Sequence, residues 1–134
     1  MVNNAGVAVG YLIEWSTSAD FRRNMDVNYH GMVDMILAHL PLLRKAKHPR
    51  IINVSSAAGF TTAITMGGYT ASKHAIEGFS DVLRLELAPF GISVSIIEPA
   101  FQRTNIIKNL DTLINSAYEA GTSRTWRKKI VRPR

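Results

Sequence analysis

The sequence contains no cysteine. That excludes a disulfide framework, a thiolate metal site and a cysteine nucleophile. It has no apolar run of the roughly 18 residues that a membrane-spanning helix needs. The best candidate, Gly31 to Leu43, is interrupted by Asp34, His39 and Pro41. The stretch Met1 to Trp15 lacks a basic start followed by an apolar core, so no secretory signal is read there. Internal repeats and low-complexity tracts are also missing. Acidic residues are absent from the last eleven positions, where Arg124, Arg127, Lys128, Lys129, Arg132 and Arg134 stand without a counter-charge. The rest of the chain holds ten basic and ten acidic residues, so the net charge of +6 belongs to this tail.

What is present fits one globular domain. The chain has 134 residues, 46% hydrophobic and 19% charged, which excludes general disorder and is too short for two domains. A basic tail can meet nucleic acid or an anionic membrane surface. No nucleic-acid fold signature accompanies it, so no nucleic-acid partner is expected and a membrane surface stays open. The simplest expectation for the tail is a solvated terminus.

Hydrophobic spacing divides the chain into alternating elements. Val2-Asn3-Asn4-Ala5-Gly6 is a turn signal with almost no strand before it. Ser16, Thr17 and Ser18 are candidate caps for a helix over Ala19 to Arg44, where Met32, Ile36, Leu40 and Leu43 recur at three- and four-residue steps. Asn28 and Gly31 weaken its middle, and Pro41 is expected to kink its last turn. Arg50 to Ser55 reads as a buried strand, and Ser56 to Gly68 as a loop. Tyr69 to Ala88 is the clearest helix, with Ala75, Ile76, Phe79, Val82, Leu83 and Leu87 on one stripe. Ile92 to Ile97 is a second strand, and a weak helical segment follows near Asn105 to Ala120. Strands separated by long helices must run parallel, so the fold is α/β. Two full strands make a poor sheet, and an exposed edge at Ile51 to Val54 is expected to promote self-association.

One constellation carries chemistry. Tyr69 and Lys73 are four apart at the start of a helix and share a face. Ser56 lies thirteen residues earlier at the carboxyl end of a strand, and Asn28 lies within the first long helix. In open α/β sheets ligands bind beyond the carboxyl ends of the strands, where Ser56, Tyr69 and Pro99 fall. A free tyrosine has a pKa near 10, and a neighbouring ammonium favours its phenolate. Such a tyrosine can exchange a proton with an alcohol or a carbonyl oxygen, and a serine hydroxyl can hydrogen-bond that oxygen. The hydride must go to a cofactor, because no side chain can accept one. A hydrolase built on Ser56 and one of His30, His39, His48 or His74 lacks a Gly-x-Ser-x-Gly elbow. The histidine spacings do not make a zinc site, so no metal is expected.

Asn3-Asn4-Ala5-Gly6, Asn28-x-x-Gly31, Asn53-Val54-Ser55-Ser56, Tyr69-Thr70-Ala71-Ser72-Lys73 and Pro99-x-x-x-x-Thr104 resemble, in order and spacing, the short-chain dehydrogenase/reductase family. Gly67 to Thr104 is most similar to its retinol and 17β-hydroxysteroid dehydrogenase branch. The resemblance covers about residues 1–107. It implies a partial Rossmann-like fold, a doubly wound parallel sheet lacking its first strands. It divides the chain into a catalytic part, 1–107, and an atypical basic tail, 108–134.

By that resemblance Tyr69 is the catalytic acid/base. Lys73 holds the nicotinamide ribose and makes Tyr69 a better acid. Ser56 orients the substrate oxygen, and Asn28 helps hold a water that relays protons to Lys73. Asn3, Ala5 and Gly6 lie near the adenosine part of NAD or NADP, while Pro99 and Thr104 flank the nicotinamide and phosphates. The implied substrate is a lipophilic alcohol or ketone such as a retinoid or steroid. The helices 19–44 and 69–88 are the implied homo-oligomer interface, which a Phe79→Asp change is expected to break.

The sequence has no Gly-x-x-x-Gly-x-Gly phosphate loop and no residue that would choose between NAD and NADP. Ala100 stands where the family has glycine after Pro99. The chain therefore reads as the catalytic two-fifths of a larger enzyme, with weak cofactor affinity expected of these residues alone. The alternative is a non-catalytic module that keeps the dimerising helices and pairs with a full-length relative.

Overall fold

The computed structural model describes residues 1–62, 64–100 and 102. The expected helix near 105–120, the basic tail and Thr104 lie outside the described residues.

Three parallel strands form one sheet in the order β1-β2-β3. They are β1 (Val2–Asn3), β2 (Arg50–Val54) and β3 (Ser93–Ile97). Val2 pairs with Ile52 and Asn3 with Asn53, while Arg50 through Val54 pair with Ser93 through Ile97. The expected exposed edge at Ile51 to Val54 is therefore corrected. β2 is the central strand, and Ile51 is fully buried. Among the described residues, the open edges belong to β1 and β3.

The first long helix is three pieces in line: α1 (Ser18–Met25), a π-helical turn (Asp26–His30) and α2 (Gly31–Leu43). Thr17 is the cap. Its hydroxyl accepts from the Asp20 N–H, and the Asp20 carboxylate accepts from the Thr17 N–H, so both orphan donors are satisfied. The weak middle marked by Asn28 and Gly31 is where the wider turn forms, with the Gly31 N–H donating to the Asp26 carbonyl. Pro41 lies in the last turn, where its ring forgoes the N–H bond to the Leu37 carbonyl, and the helix still runs on to Leu43.

The second long helix, α3 (Gly67–Leu87), starts two residues earlier than expected. The two glycines join its first turn because Gly67 lies against Ile13 and Gly68 against Phe21 and Asn24, where side chains would crowd. Ile76, Leu83 and Leu87 face the core, but Val82 is exposed and does not belong to the apolar stripe. Gly91, at φ 67°, turns the chain out of the helix toward β3.

The core packs α2 and α3 on the sheet. It comprises Met32 and Ile36, Ile76, Leu83 and Leu87, and Ile51, Ile92 and Val94. Phe79 packs against this cluster, and its ring meets Tyr29 edge-on at 5.8 Å. A buried polar line ties the sheet to α3. The Asn3 amide donates to Asn53 Oδ1, and the Asn53 amide donates to Ser80 Oγ, both at 2.8 Å.

Candidate active site

The carboxyl end of β2 and the start of α3 meet at Lys73. Its side chain is 4% exposed, and Nζ donates to the Val54 carbonyl at 2.9 Å. The same Nζ lies 5.5 Å from the centroid of the Tyr69 ring. The four-residue spacing puts both side chains on one helix face, and the bond to Val54 aims the ammonium at the strand end. Burial pulls the Lys73 pKa down from 10.5 to about 8, and the carboxylate of Glu77 opposes that fall. Tyr69 is half-buried in the first turn of α3.

Ser56 follows β2 in an extended conformation and caps the short 3₁₀ turn Ala57–Gly59, its Oγ accepting from the Ala58 N–H at 3.2 Å. That backbone bond gives the hydroxyl a fixed place one residue beyond Ser55 and two beyond the Val54 carbonyl that Lys73 holds. The Ala57 N–H donates to the Pro99 carbonyl at 3.0 Å, so the Pro99 segment lies alongside the same turn.

Asn28 is 1% exposed and sits in the π-helical turn. Its Oδ1 accepts from the Val7 N–H at 2.8 Å. Its amide nitrogen donates to the Val7 carbonyl and to Ser72 Oγ, each at 2.9 Å. Ser72 Oγ in turn donates to the Tyr69 carbonyl at 2.7 Å. Both amide donors of Asn28 are thus in use, linking the segment after β1 to the first turn of α3. A methyl group at Gly6 would lie 3.4 Å from Asn28 Oδ1 and 3.8 Å from Lys73 Nζ, so Gly6 is the point where the three come together.

The structure therefore gathers Gly6, Asn28, Tyr69 and Lys73 in one place, with Ser56 and Pro99 on the adjoining turn. Asn3 faces β2 and its amide is committed to Asn53, whereas Ala5 is exposed. Sequence reasoning missed Asn24. This residue is fully buried and clamps Val9 from both sides, its Oδ1 accepting from the Val9 N–H and its nitrogen donating to the Val9 carbonyl. Asn24 and Asn28 act on alternate residues of one extended segment as a neighbouring strand would. The Asn-x-x-x-Asn spacing was the available signal.

The residues fit the ribose end of a dinucleotide. Lys73 has three N–H donors, of which the Val54 carbonyl takes one, and Gly6 leaves that ammonium unshielded by a side chain. A short chain dehydrogenase family model matches residues 1–115. The chain is 45% identical over 116 residues to retinol dehydrogenase 7 of Mus musculus, covering 87% of this chain and 36% of that protein. It is 41% identical over 124 residues to 17-beta-hydroxysteroid dehydrogenase type 6 of Homo sapiens, covering 90% and 38% respectively. A structure of ElxO with NADP bound superposes with a TM-score of 0.74 at 26% identity, covering 83% of this chain and 46% of that one. The chain belongs to the short-chain dehydrogenase family, whose oxidoreductases use NAD(P). It spans well under half the length of the relatives it matches.

Proposed function

We propose that the protein carrying this chain transfers a hydride between NAD(P) and a lipophilic alcohol or ketone such as a retinoid or steroid, with Tyr69 as general acid/base. The observation that carries this reading is the buried Lys73 ammonium, fixed on the Val54 carbonyl 5.5 Å from the Tyr69 ring. The substrate class rests on the likeness to a retinol dehydrogenase and a hydroxysteroid dehydrogenase.

Lys73 and Gly6 would hold the nicotinamide ribose, with Asn3, Ala5, Pro99 and Thr104 as the further cofactor contacts. When bound, the nicotinamide supplies the hydride acceptor or donor. Tyr69 takes the proton from an alcohol, or returns it to a carbonyl oxygen in the reverse direction. Lys73 lowers the energy of the negative charge that develops on the tyrosine oxygen. Ser56 orients the substrate oxygen through its hydroxyl. Asn28 fixes Val7 and Ser72, and its Oδ1 keeps one acceptor site for a water on the way to Lys73.

Tyr69→Phe tests the reading. In the intact protein, assayed with NAD(P) and a panel of retinoids and steroids, kcat should fall roughly 10²–10⁴-fold while cofactor affinity is retained. Undiminished turnover by the Phe variant would overturn the assignment of Tyr69.

Self-association through the helices 19–44 and 69–88 belongs to the same reading. Met35, Leu37 and Leu42 on α2, and Val82 and Leu85 on α3, are exposed apolar side chains that a second copy would cover. The non-catalytic pairing module is the alternative that this surface favours. Undiminished Tyr69→Phe activity in cells, together with loss of pairing on disruption of this surface, would select it.

A further inference from the structure

Among the described residues, three buried side-chain oxygens have no hydrogen-bond partner: Ser55 Oγ, Thr70 Oγ1 and Glu77 Oε1. Buried polar atoms are normally paired, so orphans of this kind call for a physical reason. Two of these three meet at one place. A methyl group at Gly59 would lie 2.6 Å from Glu77 Oε1 and 2.7 Å from Ser55 Oγ. Gly59 is itself buried, and only its missing side chain leaves room for the carboxylate to reach the end of β2.

Glu77 is one helical turn beyond Lys73 and on the same face of α3. Lys73 holds the carbonyl of Val54, and Glu77 Oε1 and the hydroxyl of Ser55, the next residue, both border Gly59. The two opposite charges therefore address consecutive residues of one strand end. The following residue is Ser56.

We propose that Glu77 is a positioning residue for this site: its carboxylate, lodged in the corner made by Ser55 and Gly59, is the fixed negative charge that keeps Lys73 an ammonium ion beside Tyr69. The proposal rests on the dehydrogenase reading and adds to it a residue outside the Tyr-x-x-x-Lys spacing. Among the described residues, the groups around Lys73 leave this task to Glu77. From α3 it faces Tyr69 and Glu77. From β2 it meets the uncharged Val54 carbonyl, and from the segment after β1 it meets Gly6, with the neutral amide of Asn28 behind. Burial works against the ammonium, bringing Lys73 to about 8, and the Glu77 carboxylate works in its favour. A neutral residue at 77 would let Lys73 lose its proton nearer neutral pH, and Tyr69 would then lose its electrostatic support.

Titration of Lys73 tests this independently of turnover. The intact protein is labelled with ¹³C at the lysine Cε, and the Lys73 signal is assigned by its loss in Lys73→Arg. Glu77→Gln keeps the shape and removes the charge, and the Lys73 midpoint should fall by roughly one pH unit. Glu77→Asp keeps the charge at a shorter reach and should restore most of that shift. A midpoint in folded Glu77→Gln that is unchanged or raised overturns the proposal. Where circular dichroism shows that Glu77→Gln does not fold, Glu77→Ser takes its place with the same two outcomes. Loss of the dehydrogenase reading would show instead in the Tyr69→Phe assay, which leaves the lysine midpoint free to report on Glu77.

Discussion

At the scale of single residues, the lysine in the interior sets a pH dependence with a definite sign. Lys73 titrates at 10.5 in its ordinary state and at about 8 here. Between those values the unfolded chain keeps a proton that the folded chain has released. Stability therefore rises with pH across that window. Below pH 8 both states are protonated and the full cost of burying the charge is present, on the order of 3 kcal/mol. Above 10.5 both are neutral and the cost is gone. Lys73→Met removes this dependence. Urea unfolding at pH 7 and at pH 9.5 should show the wild type gaining stability relative to the variant. Parallel behaviour of the two proteins would contradict the burial of a titrating ammonium. The shared helix face of the lysine and its tyrosine was legible from their spacing, whereas the role proposed for them came from the whole set of motifs and the resemblance. Asn28 and Ser56 were legible through their spacing to that pair and through resemblance. Asn24 was signalled only by its four-residue spacing to Asn28, and Glu77 by nothing local, because residue type does not separate a buried polar side chain from a solvated one. Their roles depend on Val9 and Gly59, which are distant in sequence.

At the scale of elements, periodicity located both long helices and the two five-residue strands to within two residues. It failed where neighbours decide. A two-residue strand such as β1 has no pattern of its own and exists because β2 offers it partners. Val82 fits the apolar stripe of α3 by spacing, yet it is 53% exposed. The π-helical turn announced itself only as a weak stretch of poor helix formers around Asn28 and Gly31, which does not tell a wider turn from a frayed one. The cap was readable as chemistry. Thr17→Ala removes one half of a reciprocal pair with Asp20 and should cost about 1 kcal/mol, seen as a lowered urea midpoint at unchanged slope. A loss below a few tenths of a kcal/mol would mean that α1 is held in place by packing alone.

At the scale of the whole molecule, the exposed apolar side chains and the inward-facing ones make opposite predictions for association. Leu85 is 76% exposed, so Leu85→Glu leaves the core untouched and should lower the association state in light scattering without lowering the unfolding midpoint. Phe79, in contrast, packs on the core and against Tyr29, so the Phe79→Asp change expected from sequence to break the interface would destabilise the subunit itself. A Leu85→Glu protein that associates as the wild type does would remove this face of α3 from the interface. The sequence was read as part of a larger enzyme because it holds the catalytic spacing without a phosphate loop. The chain covers 36% and 38% of the lengths of two relatives.

The wide turn at Asp26–His30 also settles a matter of helical phase. Asn24, Asn28, Met32 and Ile36 are all buried and stand four residues apart. A regular α-helix turns about 100° per residue, so each four-residue step overshoots a full turn by about 40°, and three such steps drift about 120°. Residues so spaced would wind off any one face. A π-helical turn uses more residues per revolution and takes back part of that drift. The amide clamps upstream and the methyl-bearing core residues downstream thus stay on a single line. The extra residue that widens the helix at Asn28 is also what keeps the amides aimed at Val7 and Val9 in line with the oily side chains aimed at the core.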